Sequence, residues 1–256
     1  MAWDPGQYLK FDDERFRPGR DLTTRIPLTA PKRIIDLGCG TGDLTAGLAA
    51  QWPEAEVIGL DSSADMLATA KSRHPSLDWS LGDIGNWSLD AAPDLIFSNA
   101  ALHWVGDHRQ LFPRLAASLA PGGVLAVQMP RNFNQPSHSL MNAVAKDGPW
   151  AERLADAVRP WPVLDPADYR LLLTPLASAV DIWETTYWHV LDGDNPVLEW
   201  VRATGLRPYL AALSDTERPV FEADYGARLL DAYPKQPDGK TLLPFRRLFL
   251  VVVRAV

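Results

Sequence analysis

The sequence predicts an α/β fold: a doubly wound, mostly parallel seven-stranded sheet, with a helical cap inserted in the C-terminal half. Three observations predict it. Short apolar runs alternate with amphipathic stretches between roughly residues 31 and 130, a repeated β-α-β order that calls for a parallel sheet. A glycine-rich turn follows the first run, where such a sheet passes into its first helix. The composition, 46% apolar over 256 residues, suits one large globular core.

The elements follow in order. The strand-length runs are Arg33-Ile34-Ile35-Asp36-Leu37, residues 56–61, residues 77–81, residues 94–98 and Val124-Leu125-Ala126-Val127-Gln128. Several are continuously apolar rather than alternating, as in strands buried on both faces. Between them, Asp43 to Trp52, Ser63 to Arg73 and Asp107 to Leu119 read as helices. Asp61-Ser62-Ser63 offers capping side chains. Pro53 and Pro75 close two helices, and Pro121-Gly122-Gly123 stops a third before the fifth strand. From Arg131 to Pro237 the pattern turns helical and irregular around one long strand, Val180 to Leu191. Glu217 to Tyr233 reads as a helix with Phe221, Tyr225, Leu229 and Leu230 on one side. Arg247 to Val253 is a last strand. The expected organisation is a single domain over residues 1–256: a cofactor-binding core over 31–130, a cap over 131–237 and a final strand over 240–254.

Charge and cysteine usage narrow the function. The net charge of −7 and the absence of a Lys/Arg run disfavour nucleic acid and anionic membranes. A single cysteine, Cys39, allows no intrachain disulfide, which fits a cytoplasmic setting. No basic, then apolar, leader opens the chain, and no apolar run reaches the ~20 residues of a membrane span. The five histidines and the cysteine show no metal-ligand spacing.

The chemistry starts at Asp36-Leu37-Gly38-Cys39-Gly40-Thr41-Gly42. Three glycines let the backbone turn and approach a ligand, and the next helix presents free N–H groups. The spacing is G-x-G-x-G rather than the G-x-G-x-x-G of a pyrophosphate loop. Asp36 beside it suits an ammonium, as in S-adenosylmethionine, better than a phosphate. Asp61, at the end of the second strand, stands where a carboxylate meets ribose hydroxyls; capping of the following helix is the simpler alternative. Asp83 and Ile84, after the third strand, are candidates for the adenine, although aspartate in a turn is common. His103 and Trp104 follow the fourth strand, on the ligand edge of such a sheet.

This ordered set, with residues 99–104 and Pro121-Gly122-Gly123, resembles class I S-adenosylmethionine methyltransferases. The resemblance is narrower than that. Trp3-x-Pro5-x-x-Tyr8-Leu9, Arg15-x-Arg17-Pro18, Asn99-Ala100-x-Leu102-x-Trp104, Gln128-Met129-Pro130, Asp181-Ile182-Trp183-x-Thr185-Thr186-Tyr187 and residues 204–208 are similar to the trans-aconitate 2-methyltransferase family over nearly the whole chain. The resemblance implies S-adenosylmethionine as cofactor. The implied contacts are Gln7, Tyr8, Asp36, Gly38, Gly40, Gly42, Asp61, Ser62, Met66, Asp83, Ile84, Asn99 and Ala100. It also implies methyl ester formation on a carboxylate of trans-aconitate, a small tricarboxylate. A carboxylate is already ionised at neutral pH, so positioning outweighs proton transfer, and no catalytic acid or base is assigned. Candidate substrate residues are His103, Trp104, Arg131, Tyr187 and Arg207, arginine because its planar fork matches a carboxylate. Arg246 and Arg247 read as surface residues of the last strand. The alternatives are another carboxylate or hydroxyl acceptor, a nicotinamide-dependent oxidoreductase, or a cofactor-binding protein without turnover.

Overall fold

The computed structural model describes residues 12–87, 91–158, 161–202 and 204–256; the candidate contacts at Gln7 and Tyr8 lie outside the described residues. It divides into two compact units. One comprises residues 1–130, 162–185 and 247–256, the other 131–161 and 186–246.

The first unit opens with α1 (Asp12–Thr23), followed by β1 (Arg33–Leu37), α2 (Asp43–Gln51), β2 (Glu56–Asp61), α3 (Ala64–Arg73), β3 (Asp78–Leu81) and β4 (Leu95–Asn99). A 3-10 turn, Leu102–Trp104, leads to α4 (His108–Ser118) and β5 (Val124–Pro130). After the second unit's first helix, α5 (Pro136–Asp147), the first unit resumes with α6 (Pro166–Leu173) and β6 (Ala177–Leu191). The chain continues through α7 (Pro196–Arg202), α8 (Arg207–Ala212) and α9 (Glu217–Ala232) to β7 (Thr241–Arg254).

The seven strands lie in the order β3-β2-β1-β4-β5-β7-β6. β1 pairs in parallel with β2 on one side and β4 on the other, and β7 runs antiparallel to β5. The chain winds outward from β1 through β2 to β3, then returns and winds the other way from β4. The switch therefore falls between β1 and β4, and the crevice beyond their carboxyl ends is where such sheets take ligands. The loops after β1 and β4 are those that carry the glycines and the His103-Trp104 pair.

Local chemistry sets the helix starts. The Ser63 hydroxyl accepts the Met66 N–H and caps α3; the Asp107 carboxylate accepts the Gln110 N–H and caps α4. Pro136 and Pro166 open α5 and α6, where a missing N–H costs nothing. Period-two alternation then sorts the strands. Ile35, Leu37, Ile96, Leu125, Val127, Leu248 and Leu250 share one core with Leu111, Phe112 and Leu115 of α4 and Tyr169 and Leu173 of α6. Burying each such side chain contributes about 1.5–3 kcal/mol. Near the antiparallel edge, Trp183 stacks on Phe249 at 4.8 Å between ring centres, and the Arg25 guanidinium lies 5.3 Å from the Trp183 ring.

In the second unit, α9 buries Phe221, Tyr225 and Leu229. Leu230 is 43% exposed, which corrects the sequence pattern: it lies one residue past Leu229, about 100° around a helix. Tyr225 donates to the Ser137 carbonyl at 2.5 Å, and Trp150 Nε1 donates to the Val144 carbonyl. The strand expected from Val180 begins three residues earlier, at Ala177.

Candidate functional site

The loop after β1 is held by the end of β2. The N–H groups of Gly38 and Cys39 both donate to the Leu60 carbonyl, at 2.7 and 3.0 Å. The Asp61 carboxylate completes the fastening: Oδ2 accepts the Gly40 N–H at 2.9 Å and Oδ1 accepts the Ser63 N–H at 2.9 Å. The two sequence readings of Asp61 thus meet in one side chain. It organises the entry to α3, and each oxygen keeps a lone pair for a hydroxyl donor. Ser62 is exposed and Met66 is buried on α3.

The loop glycines serve different ends. Gly40 has φ +57 and open space where a side chain would stand. Gly42 has φ +84, and a Cβ there would sit 2.3 Å from the Trp79 ring. Trp79 is fixed by its Nε1 donating to the His74 carbonyl at 3.2 Å, so Gly42 is packed under an indole while Gly40 faces free volume. Gly38 also has a positive φ and lies close to Ala101 of the loop after β4.

Two carboxylates set the local field. Asp36 is 1% exposed, and its Oδ2 accepts the Thr45 hydroxyl at 2.7 Å. Burial, with Asp61 adding to it against the Thr45 hydrogen bond, pushes the Asp36 carboxyl up to about 7. Burial, reinforced by Asp36 and Asp61, pushes the Cys39 thiol far up, so it stays a thiol. The sign of the Asp36 shift makes a testable statement. Below about pH 4 the carboxyl is protonated folded or unfolded, and it contributes nothing. Between 4 and 7 only the unfolded chain ionises, so stability falls with rising pH, by about 4 kcal/mol once the native group is ionised too. Asp36→Asn is expected to remove this slope. Urea unfolding of both proteins at pH 5 and pH 8 checks it; parallel pH dependences would refute it.

The remaining candidates are placed as follows. Asp83 accepts from its own turn, the Gly85 N–H at 2.9 Å and the Asn86 side chain at 3.2 Å. Ile84 is buried in the core. Asn99 ends β4, its Oδ1 buried and without a hydrogen-bond partner among the described residues. Ala100 has φ +53, and its N–H donates to the Gln128 carbonyl at 2.9 Å. His103 is buried with its ring 4.8 Å from that of Trp104, which is half-buried. The structure thus gathers Gly38, Gly40, Asp61, Asn99, Ala100, His103 and Trp104 along the loops after β1, β2 and β4.

In the second unit, Arg131 donates its N–H to the Arg246 carbonyl, and its own carbonyl accepts from the Arg246 side-chain Nε. Tyr187 is buried on β6. Arg207 begins α8, half-buried.

Three side chains escaped the sequence reading. Gln128 is fully buried, and neither atom of its amide has a hydrogen-bond partner among the described residues; it is paired in register with Asn99. Its signal was a lone amide in an apolar run. Arg247 is 4% exposed, a correction to its reading as a surface residue; it is paired in register with Pro130 of β5. His108 is fully buried at the start of α4, and nothing in its neighbouring residues announces a partner sixty-one positions away.

Comparison with known proteins agrees with this layout. Residues 34–123 match a family model described as a methyltransferase domain. A trans-aconitate 2-methyltransferase of Azoarcus sp. (strain BH72) is 50% identical over 253 residues, covering 99% of both chains. Another, of Methylobacterium nodulans, is 51% identical over 253 residues, 98% of both. Among solved structures, a putative methyltransferase from Bacillus halodurans C-125 matches with a TM-score of 0.58 at 14% identity, over 94% of this chain and 100% of that one; likeness at that level speaks for the fold alone. With half of its residues shared along the full length of such relatives, this chain belongs to the trans-aconitate 2-methyltransferase family.

Proposed function

We propose that this protein transfers a methyl group from S-adenosylmethionine to a carboxylate of trans-aconitate, forming the monomethyl ester. The observation that carries this reading is the full-length identity of about half with relatives bearing that name. The residues present suit the donor. Gly40 leaves open space beside the loop. Asp61 offers a carboxylate for the ribose hydroxyls, and Asp36 makes the field at the loop negative once ionised, favourable to an ammonium and a sulfonium. When bound, S-adenosylmethionine supplies a methyl group on a cationic sulfur that a carboxylate oxygen displaces in line.

The protein's part is then largely geometric. The acceptor is ionised near neutral pH, so no side chain has to remove a proton. The core over residues 31–130 holds the donor, with Asp61, Ser62, Met66, Asp83, Ile84, Asn99 and Ala100 about it. Residues 131–237 supply acceptor contacts. Arg131 and Arg207 pair with the carboxylates that are not methylated, since a guanidinium fork takes a carboxylate bidentately. His103, Trp104 and Tyr187 position the reacting one and exclude water. No helix among the described residues is long and apolar enough to cross a membrane, and the acceptor is a small molecule rather than a nucleic acid.

Incubation with methyl-labelled cofactor and a panel of small acids tests the reading; label on trans-aconitate is the expected result, and label on another acid only would reassign the acceptor. Arg207→Ala is expected to raise KM for trans-aconitate by roughly tenfold or more, as loss of a charged hydrogen bond implies, with KM for the cofactor little changed. Unaltered kinetics would remove Arg207 from the site.

A further inference from the structure

His108 is 1% exposed and joined at both ring nitrogens. Its Nε2 lies 2.9 Å from the Leu102 carbonyl oxygen and its Nδ1 2.5 Å from the Tyr169 hydroxyl. The same hydroxyl accepts the Leu164 N–H at 3.2 Å. The two ends of this chain fix the protons within it. A carbonyl only accepts, so Nε2 carries the hydrogen; burial lowers the ring's pKa and keeps it neutral, so Nδ1 accepts. A backbone N–H only donates, so the tyrosine oxygen accepts from Leu164 and donates to Nδ1. The tautomer is thereby assigned from the network, and every member is satisfied, the condition under which a buried polar network rigidifies its surroundings.

The network ends on a segment that needs holding. Leu102 opens the 3-10 turn Leu102–Trp104 that carries His103 and Trp104, and its carbonyl also takes the Val105 N–H at 2.9 Å. Left-handed residues that are not glycine bound the segment on both sides, Ala100 at φ +53 and Asp107 at φ +50. Such conformations persist only where the surrounding structure over-determines them, and they concentrate where function uses them. A histidine kept only for packing would serve as well if replaced by leucine. What leucine lacks is the hydrogen bond that ties α4, and through Tyr169 α6, to the turn.

We propose that His108 and Tyr169 form a positioning pair for methyl transfer: together they hold the Leu102 carbonyl, and with it the Leu102–Trp104 turn, so that His103 and Trp104 meet the acceptor carboxylate in register with the donor. The inference rests on the methyltransferase reading above and on the roles given there to His103 and Trp104. Neither His108 nor Tyr169 touches the reactants.

The test uses the full-length protein with His108→Leu, His108→Gln and Tyr169→Phe. Glutamine places an N–H near the position of Nε2; leucine does not. His108→Leu is expected to lower kcat for trans-aconitate by roughly ten- to hundred-fold, the cost of a misplaced reacting group, while cofactor affinity by calorimetry stays within about twofold. His108→Gln recovers most of the loss, and Tyr169→Phe falls between. If the leucine variant does not fold, Tyr169→Phe against His108→Gln carries the comparison, because phenylalanine keeps the ring packing. Equal kcat in the leucine variant and wild type overturns the proposal, as does a glutamine variant as slow as leucine at equal thermal stability. A wild-type protein that forms no ester from trans-aconitate overturns the functional reading instead, and the variants are not needed to see it.

Discussion

Asp61→Ala is expected to raise the dissociation constant for S-adenosylmethionine by roughly a hundredfold, about 2–3 kcal/mol. Two losses combine. The charged acceptor for the ribose hydroxyls disappears, and so does the anchor of the loop, since Asp61 Oδ2 holds the Gly40 N–H and Oδ1 the Ser63 N–H. Asp61→Asn separates them. An asparagine oxygen accepts one of these backbone hydrogens but not both, so an intermediate affinity is expected. Titration calorimetry with S-adenosylhomocysteine reads both variants without turnover. Unchanged affinity in a folded Asp61→Ala protein would remove Asp61 from the cofactor site.

Two neighbouring glycines should respond in opposite ways to the same added methyl group. Gly42→Ala places a Cβ 2.3 Å from the Trp79 ring at φ +84. The left-handed backbone costs about 1–2 kcal/mol and the overpacking about 1–3 kcal/mol more. Trp79 has little room to yield, because its indole nitrogen is hydrogen-bonded to the His74 carbonyl and Asp43, beside Gly42, pairs with Arg73 at 2.7 Å. Gly40→Ala carries only the backbone cost, since nothing lies within 4 Å of the added atom. It is expected to melt within a few degrees of wild type yet bind cofactor weakly, because the methyl group enters the volume assigned to the ligand. Gly42→Ala is expected to lose most of its stability. Thermal melts and cofactor titrations on the pair decide the matter; similar stability in both variants would mean that Trp79 moves aside freely.

Much of the first unit was legible because its signals are local. β1, β2, β4 and β5 are short, largely apolar runs, two of the helices between them are capped by Ser63 and Asp107, and prolines follow the helix ends, so backbone chemistry a few residues long locates them. The G-x-G-x-G loop and Asp61 were legible for the same reason: the spacing belongs to one turn and to the strand after it. The cap was harder. Leu230 reads onto the buried side because it is apolar and adjoins Leu229, although one residue further on lies about 100° around the helix, and Arg247 reads as a surface residue because nothing in its neighbours tells which face of β7 is covered.

Asp36 has a partner that the loop does not announce. The sequence put a carboxylate beside the loop and suggested contact with an ammonium. The folded chain turns that carboxylate onto the Thr45 hydroxyl, nine residues on, and buries it.

The sequence by itself determined the order of strands and helices, the glycine loop, the acidic residue that follows it on β2, and the family. These are written in contiguous residues and in spacings that one turn or one strand enforces. Only the tertiary structure decided what each of those residues touches: Trp79 over Gly42, Asp61 on the Gly40 N–H, Thr45 on Asp36, and the link from Leu164 through Tyr169 and His108 to the turn that carries His103. The physical reason is the same in each case. Hydrogen bonds and close packing act over a few ångströms in space, and the partners here are brought within that range by strand pairing and layer packing, which no local stretch of the chain records.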